Sequence, residues 1–414
     1  MTPAPQVPPA PADAAPSLGL AALQVRPGHP DFLDLPWDEP LAGWRDRSER
    51  IVEVPRGISR HEVLFVQYPH GLYAVKELPA HLGEREYDAL RWLEERGLPS
   101  VIPAGHARVK TAAGQGSVLI TRFLDTSLPF RTLFQTPGLE RYRERLLDAV
   151  AGLLVRLHLA GFMWGDFSLS NCLFKRDAGE LQAYLVDAET SEMHPELSTG
   201  QRHLDLQIME ENVAGELADL SFVVDLPPAL DVFQTGAQIK GRYERLWSEI
   251  NREEVLSPAE HWRIHERIRA LNALGFSVSE VELVATGDGS KLRMRTIVTD
   301  RDYSRHTLHT LTGVVAEERQ AAQMLNEIRE LRATLSRAKG QKISLGVAAY
   351  GWLTERYEPT VRRLAPLVSK LGDAAELYCQ VLEHKWFLSE KAGRDVGLVY
   401  TLEDFFRKFQ PAPA

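Results

Sequence analysis

The sequence predicts an α+β protein of two lobes, one a small antiparallel β-lobe and one helical, followed by a mostly helical C-terminal domain with one β-hairpin. Three observations predict it. Short runs of β-branched and aromatic residues crowd residues 51–124. Wide apolar stripes at helical spacing follow from Leu139. Beyond about Gly241 helical patterns return around a single glycine-punctuated pair of strands. With 414 residues, 44% of them apolar, the chain is long enough for two or three domains with sizeable cores.

Residues 1–44 read as a disordered Pro/Ala-rich tail and lead-in, because Met1 to Pro16 offers little surface to bury against the entropy of ordering. Ile51-Val-Glu-Val54, Glu62-Val-Leu-Phe-Val-Gln67 and Leu72-Tyr-Ala-Val-Lys-Glu-Leu78 read as three strands, the last two joined by the turn Pro69-His-Gly71. Gly83 to Arg96 carries Tyr87, Leu90 and Leu93 at helical spacing, and Gly97 stops it. Two further strands lie near Val101-Ile102 and Val118 to Leu124, so the order is three strands, one helix and two strands.

Leu139 to Ala160 is a strong helix, and Gly161 ends it. The loop Trp164-Gly-Asp-Phe-Ser-Leu-Ser-Asn171 follows, then a hairpin formed by Cys172-Leu-Phe174 and Ala183-Tyr-Leu-Val186, and a helix from Leu204 to Val224. Further on, Pro258 to Leu274 is helical, Ser279 to Ala285 and Leu292 to Val298 form a hairpin, and helices span Val314 to Leu335, Gly346 to Leu371, Asp373 to Ser389 and Leu402 to Phe409.

Composition removes several functions. A net charge of −9 does not suit a nucleic-acid binder or a lipid surface. No apolar run approaches the roughly 18 residues of a membrane span, and no secretory signal opens the chain. Two cysteines, Cys172 and Cys379, exclude a disulfide framework or cysteine zinc site and fit a reducing cytoplasm.

The spacing Asp166-x-x-x-x-Asn171 carries the chemistry. Phosphoryl transfer needs a carboxylate to orient the acceptor hydroxyl and metal ligands to neutralise a triphosphate, set on one loop five residues apart. The same template asks for a metal-binding aspartate after a following hairpin, here Asp187, and a strand lysine in an Ala-x-Lys context, here Lys76. A helix glutamate should pair with that lysine, and Glu86 is so placed, with Leu90 four residues later on its face. Each piece alone is weak; together they fall in the right order on the right elements.

Residues from about Arg56 to Glu189 resemble the bacterial lipopolysaccharide-kinase-like (Kdo/heptose kinase-like) branch of the protein-kinase-like superfamily. Leu157-His158 and then Gly165-Asp166 carry the likeness. Arg56-Gly-Ile-Ser-Arg-His61, Ser127-Leu-Pro-Phe-Arg131, Leu311-Thr-Gly313 and Trp386-Phe-Leu-Ser-Glu-Lys-Ala-Gly-Arg-Asp395 resemble a family that joins such a part to a C-terminal domain of unknown function. The resemblance implies a bilobal protein-kinase-like fold, with an N-lobe at 45–124, a C-lobe at 125–240 and a C-terminal domain at 241–410 packing on the C-lobe. It implies ATP and Mg²⁺. Lys76 with Gly57 and Ser59 would meet the phosphates, Arg122, Phe123 and Leu124 the adenine, Asn171 and Asp187 the metal, and Asp166 an acceptor hydroxyl. A nucleotide-binding sensor or scaffold of weak or no activity is the alternative, and the C-terminal domain is the place for a protein partner.

The departures are informative. The glycine loop keeps only Gly57, flanked by Arg56 and Arg60. The metal motif reads Asp187-Ala-Glu189 rather than Asp-Phe-Gly, and no Ala-Pro-Glu follows at a useful distance, which favours a small-molecule or glycan acceptor over a protein. Glu189 reads more readily as solvated than as a metal ligand, His158 as a buried brace, and Trp352, Tyr357, Trp386 and Phe387 as core aromatics.

Overall fold

The computed structural model of the chain describes residues 19–54, 61–111, 114–135, 140–226, 231–252, 254–256, 280–285, 292–297, 303–339, 341, 343–368 and 373–409. Six strands form the first sheet: Gly19–Val25 (β1), Ile51–Val52 (β2), Val63–Tyr68 (β3), Gly71–Pro79 (β4), Ile102–Thr111 (β5) and Gly114–Arg122 (β6). They pair antiparallel in the order β1-β5-β6-β4-β3-β2. The helix Ala80–Glu95 (α1) follows β4 directly. Three strands, a helix and two strands are therefore present as expected, with β1 added at an edge.

Residues 19–46 depart from the lead-in expected there. β1 pairs with β5, from Gly19 opposite Lys110 to Val25 opposite Gly105. Phe32, Leu35, Trp37, Leu41 and Trp44 are buried with Leu64, Val66, Tyr73, Val75, Val118 and Ile120 in one core. Both indoles are satisfied, Trp37 donating to the Phe32 carbonyl and Trp44 to that of Glu39. β1 shows weakly in sequence because its side chains are at most partly buried, those of Leu20, Leu23 and Val25; its pairing with a distant strand creates it.

Alternation along β4 positions the site. Tyr73 and Val75 enter the core that the lead-in covers, so Lys76 points to the opposite face. That face carries α1, which buries Glu86, Tyr87, Ala89, Leu90 and Leu93. The helix lies close: a Cβ on Gly83 would come within 2.0 Å of Ser117 Oγ on β6.

The later elements, in chain order, begin with strand Leu128–Pro129 (β7), helices Phe130–Gln135 (α2) and Glu140–Leu159 (α3), and strand Phe162–Met163 (β8). Strands Cys172–Asp177 (β9) and Glu180–Leu185 (β10) form the hairpin, followed by strand Glu192–Met193 (β11) and helices Thr199–Ser221 (α4) and Thr235–Asn251 (α5). A three-stranded sheet joins Glu254–Leu256 (β12), Glu280–Ala285 (β13) and Leu292–Ile297 (β14). Helices Tyr303–Thr312 (α6), Glu318–Lys339 (α7), Leu345–Trp352 (α8), Glu358–Leu364 (α9), Ala374–Ala392 (α10) and Leu398–Phe409 (α11) complete the chain.

Several elements differ from expectation. The helix expected at Pro258 to Leu274 and the turn Gly287-Asp-Gly289 lie outside the described residues. The helix expected to begin at Val314 begins at Glu318, and α6 precedes it. Gly346 to Leu371 is not one helix: a π-helical turn at Leu353–Tyr357 separates α8 from α9. Pro359 accounts for the break, since it has no N–H to give and its ring crowds the carbonyl four residues back. Trp386 and Phe387 are 64% and 56% exposed rather than core, because α10 turns Leu377, Tyr378, Val381 and Leu382 inward instead.

The chain divides into two compact units, residues 1–125 with 160–172 and 185–208, and residues 126–159 with 173–184 and 209–414. In the second, α3 packs on α5 through the hydrogen bond between His158 Nδ1 and the Tyr243 hydroxyl, 2.8 Å. The hairpin of β9 and β10 turns through Ala178 and Gly179, both at positive φ, as a tight two-residue connection requires. It is held by the C-terminal helices. Asp177 accepts from the Gln320 and Arg319 amides at 2.9 and 3.2 Å, Glu317 accepts from Lys175 Nζ at 2.5 Å and the Tyr184 hydroxyl at 2.7 Å, and Glu376 accepts from the Ala178 amide at 2.9 Å.

Candidate active site

Lys76 lies at the centre of the site, which falls wholly within the first unit. Its Nζ donates to Glu86 Oε2 at 3.0 Å, to Asp187 Oδ2 at 2.6 Å and to Glu189 Oε2 at 3.3 Å. Burial alone would lower the lysine, but the carboxylates of Glu86, Asp187 and Glu189 more than offset it and hold its ammonium above the ordinary range. Glu86 moves the other way from a simple ion-paired acid. Its side chain is 1% exposed, and burial, with Asp187 beside it, pushes it up to about 8 against the pull of Lys76. Glu86 Oε1 also accepts from the Ala188 amide at 3.4 Å.

The loop before the hairpin is held by main-chain bonds to one carboxylate. Asp205, fully buried on α4, accepts from the Trp164 amide at 2.9 Å and the Gly165 amide at 2.8 Å. Gly165 adopts φ +78°, and a Cβ there would lie 3.0 Å from the Thr190 carbonyl oxygen, so glycine suits this position on both counts. The Trp164 indole donates to the Asp187 carbonyl at 2.7 Å and Thr190 Oγ1 donates to that of Trp164 at 3.0 Å, tying the two loops together. Asp166, half-buried, follows at once. Asn171 Nδ2 donates to the Asp166 carbonyl at 3.1 Å, which commits the amide nitrogen and turns the acceptor oxygen Oδ1 the other way. The Asn171 carbonyl in turn accepts from the Val186 amide at 3.0 Å.

Of the residues expected at a site, the structure gathers Lys76, Glu86 and Asp187 at one point, and puts Asp166 and Asn171 on a second loop bonded to the first. Gly57 and Ser59, with Arg56 and Arg60, lie outside the described residues. Arg122 and Phe123 end the sheet, and the Phe123 amide donates to the Leu72 carbonyl at 2.9 Å, so that donor is spent on the sheet rather than left for adenine. Leu124 comes next in the chain. Glu189 is not solvated: its side chain is 12% exposed, and His61 Nε2 lies 3.3 Å from the same oxygen that Lys76 grips. Asp205 and His61 escape the spacing argument. Asp205 acts on partners 40 residues away, and no local pattern marks it.

Carboxylate oxygens of Glu86, Asp187 and Glu189 lie within 4.8 Å of one another, the one such group of potential metal ligands among the described residues. Hard oxygen donors of this kind suit Mg²⁺. A strand lysine paired with a helix glutamate and with the aspartate after a hairpin marks a kinase-like phosphotransferase. A match to a family model gives the same class. Residues 66–221 match the Lipopolysaccharide kinase (Kdo/WaaP) family, and residues 245–409 match the domain of unknown function DUF4032. The two matches follow one another along the chain, and each covers less than half of it. Among solved structures it is similar to one titled "WaaP in complex with acyl carrier protein", with a TM-score of 0.37 and 16% identity over 61% of this chain and 99% of that one. It is also similar to an aminoglycoside-3'-phosphotransferase of type VIII, with a TM-score of 0.35 and 16% identity over 56% of this chain and 97% of that one. A search of curated proteins gives no match. No helix among the described residues is long and apolar enough to cross a membrane.

Proposed function

We propose that the protein is an ATP- and Mg²⁺-dependent phosphotransferase that moves the γ-phosphate to a hydroxyl of a small-molecule or glycan acceptor. The observation that carries this reading is the Lys76 centre, where one ammonium is bonded to the helix glutamate and to the aspartate of the second loop. Lys76 would contact the α- and β-phosphates, with Glu86 holding it in place. Asp187 and Asn171 Oδ1 would hold Mg²⁺, which when bound neutralises phosphate charge. Asp166 would orient the acceptor hydroxyl and take its proton as the new oxygen–phosphorus bond forms and the bond to ADP breaks. The Asp187-Ala-Glu189 motif supports a non-protein acceptor, since the segment that docks peptides is not written in the sequence.

The N-lobe takes in β1 and the core residues of 32–44 and so belongs at 19–124; the C-lobe follows from 125 and the remaining domain reaches 410, the boundary expected at 240 falling inside α5. That last domain holds the hairpin through Glu317, Gln320 and Glu376, which supports its packing on the C-lobe. The test is thermal unfolding of the full chain with ATP, with and without Mg²⁺, followed by labelled ATP in a cell extract. Stabilisation that needs the metal, together with label in a small molecule or glycan, is expected. Stabilisation without any transfer would make the protein a nucleotide sensor instead.

A further inference from the structure

We propose that Glu189 makes nucleotide binding at the Lys76 centre conditional on a divalent cation; the proposal rests on the reading of this site as a nucleotide site. The first ground is charge. One ammonium faces three carboxylates at 2.6 to 3.3 Å, so the carboxylates outnumber the basic groups even with His61 counted as a second cation. A lysine with only Glu86 and Asp187 around it would balance far more nearly. The motif Asp-Phe-Gly would supply only that pair, and Asp187-Ala-Glu189 adds the third.

The second ground is that Glu189 is fixed in place. Its amide donates to Asp187 Oδ1 at 3.2 Å, which closes a tight turn and sends both carboxylates to the same ammonium. Its side chain is held from a second side by His61 Nε2 at 3.3 Å. The carboxylate therefore links His61 to Lys76.

The consequence follows from Coulomb's law. A metal-free polyphosphate reaching Lys76 comes within a few ångströms of Glu189, whose carboxylate competes with phosphate for the same ammonium. At the effective dielectric of a protein surface such a like-charge contact weakens binding about tenfold or more. A phosphate chain that brings a divalent cation meets oxygen ligands instead of repulsion. Glu189 thus discriminates between free and metal-loaded nucleotide.

The test is ADP affinity of the full chain by calorimetry, in excess chelator and in saturating Mg²⁺, for the wild type, Glu189→Gln, Glu189→Gly and Glu189→Asp. Both charge-removing variants should tighten metal-free ADP binding about tenfold and narrow the gap between the two conditions, and Glu189→Asp should keep the wild-type gap. Two such variants guard against one that fails to fold. Unchanged or weaker metal-free binding in the folded charge-removing variants, with wild-type Mg·ADP binding intact, would overturn the proposal alone. A wild type that binds ADP in neither condition would overturn the nucleotide reading of the site, and this proposal with it.

Discussion

Asp205 offers the sharpest test of how the loop before Asp166 is held. Its buried carboxylate accepts two main-chain N–H groups, from Trp164 and Gly165, at 2.9 and 2.8 Å. In Asp205→Asn the side chain keeps one acceptor oxygen and turns an N–H₂ toward the other amide, so one charge-assisted bond is lost and one buried donor is left unmet. A hydrogen bond to a charged group contributes about 1.5–3 kcal/mol, and an unmet buried donor costs about the same order. Urea unfolding should therefore show a loss of about 2–3 kcal/mol, a large share of a typical total of about 5–15 kcal/mol. Loop displacement of even about 1 Å costs a positioned reaction about 100-fold, so turnover should fall by about that factor. ADP affinity in Mg²⁺ should stay within about threefold, because Lys76 and its carboxylates make none of these bonds. Wild-type stability in Asp205→Asn, or a loss of ADP affinity as large as the loss of turnover, would refute the reasoning.

Three further outcomes are expected. Asp166→Ala should cut turnover by orders of magnitude and leave nucleotide binding nearly intact, as paired kinetics and calorimetry would show. Gly161→Ala should cost more than about 2 kcal/mol in urea unfolding, since φ is +85° and a Cβ would stand 2.0 Å from the His194 carbonyl oxygen. Asp177 is pushed up to about 7, first by burial and then by Glu317, against the pull of the Gln320 and Arg319 amides. A folded carboxyl above its ordinary value binds its proton more tightly than the unfolded chain does. Its contribution is therefore full below about 4 and is lost as pH rises through about 7. Asp177→Asn should flatten that part of the stability–pH curve, and an unchanged slope would contradict the assignment.

Much of this architecture is legible in the sequence, and the parts that are not share a cause. β3, β4 and α1 announce themselves by β-branched runs, a Pro-His-Gly turn and helical spacing, all of them local signals. The hairpin of β9 and β10 and the helix α3 are equally plain. β1 becomes a strand because β5 pairs with it, and Trp37 and Trp44 become core because the sheet lies beneath them. α5 is hard to read for a related reason: its buried large apolar residues are Ile239, Tyr243 and Ile250 alone, too sparse a stripe to mark a helix on its own. At the site, Lys76, Glu86, Asp166, Asn171 and Asp187 follow from spacing and order. Asp205, His61 and the burial of Glu189 depend on approaches across 40 to 128 residues, and no window of sequence records them.

The central claim is that the group around Lys76 and Asp187 supports transfer of a γ-phosphate. Single-turnover experiments with γ-labelled ATP, Mg²⁺ and a fractionated cell extract, run in parallel on the wild type and Asp187→Asn, test it most directly. The account predicts metal-dependent movement of label to a non-protein hydroxyl acceptor by the wild type, and a fall of about 1,000-fold or more in Asp187→Asn at unchanged folding. Equal labelling by both proteins, or no transfer by the wild type at any Mg²⁺ concentration, would contradict it.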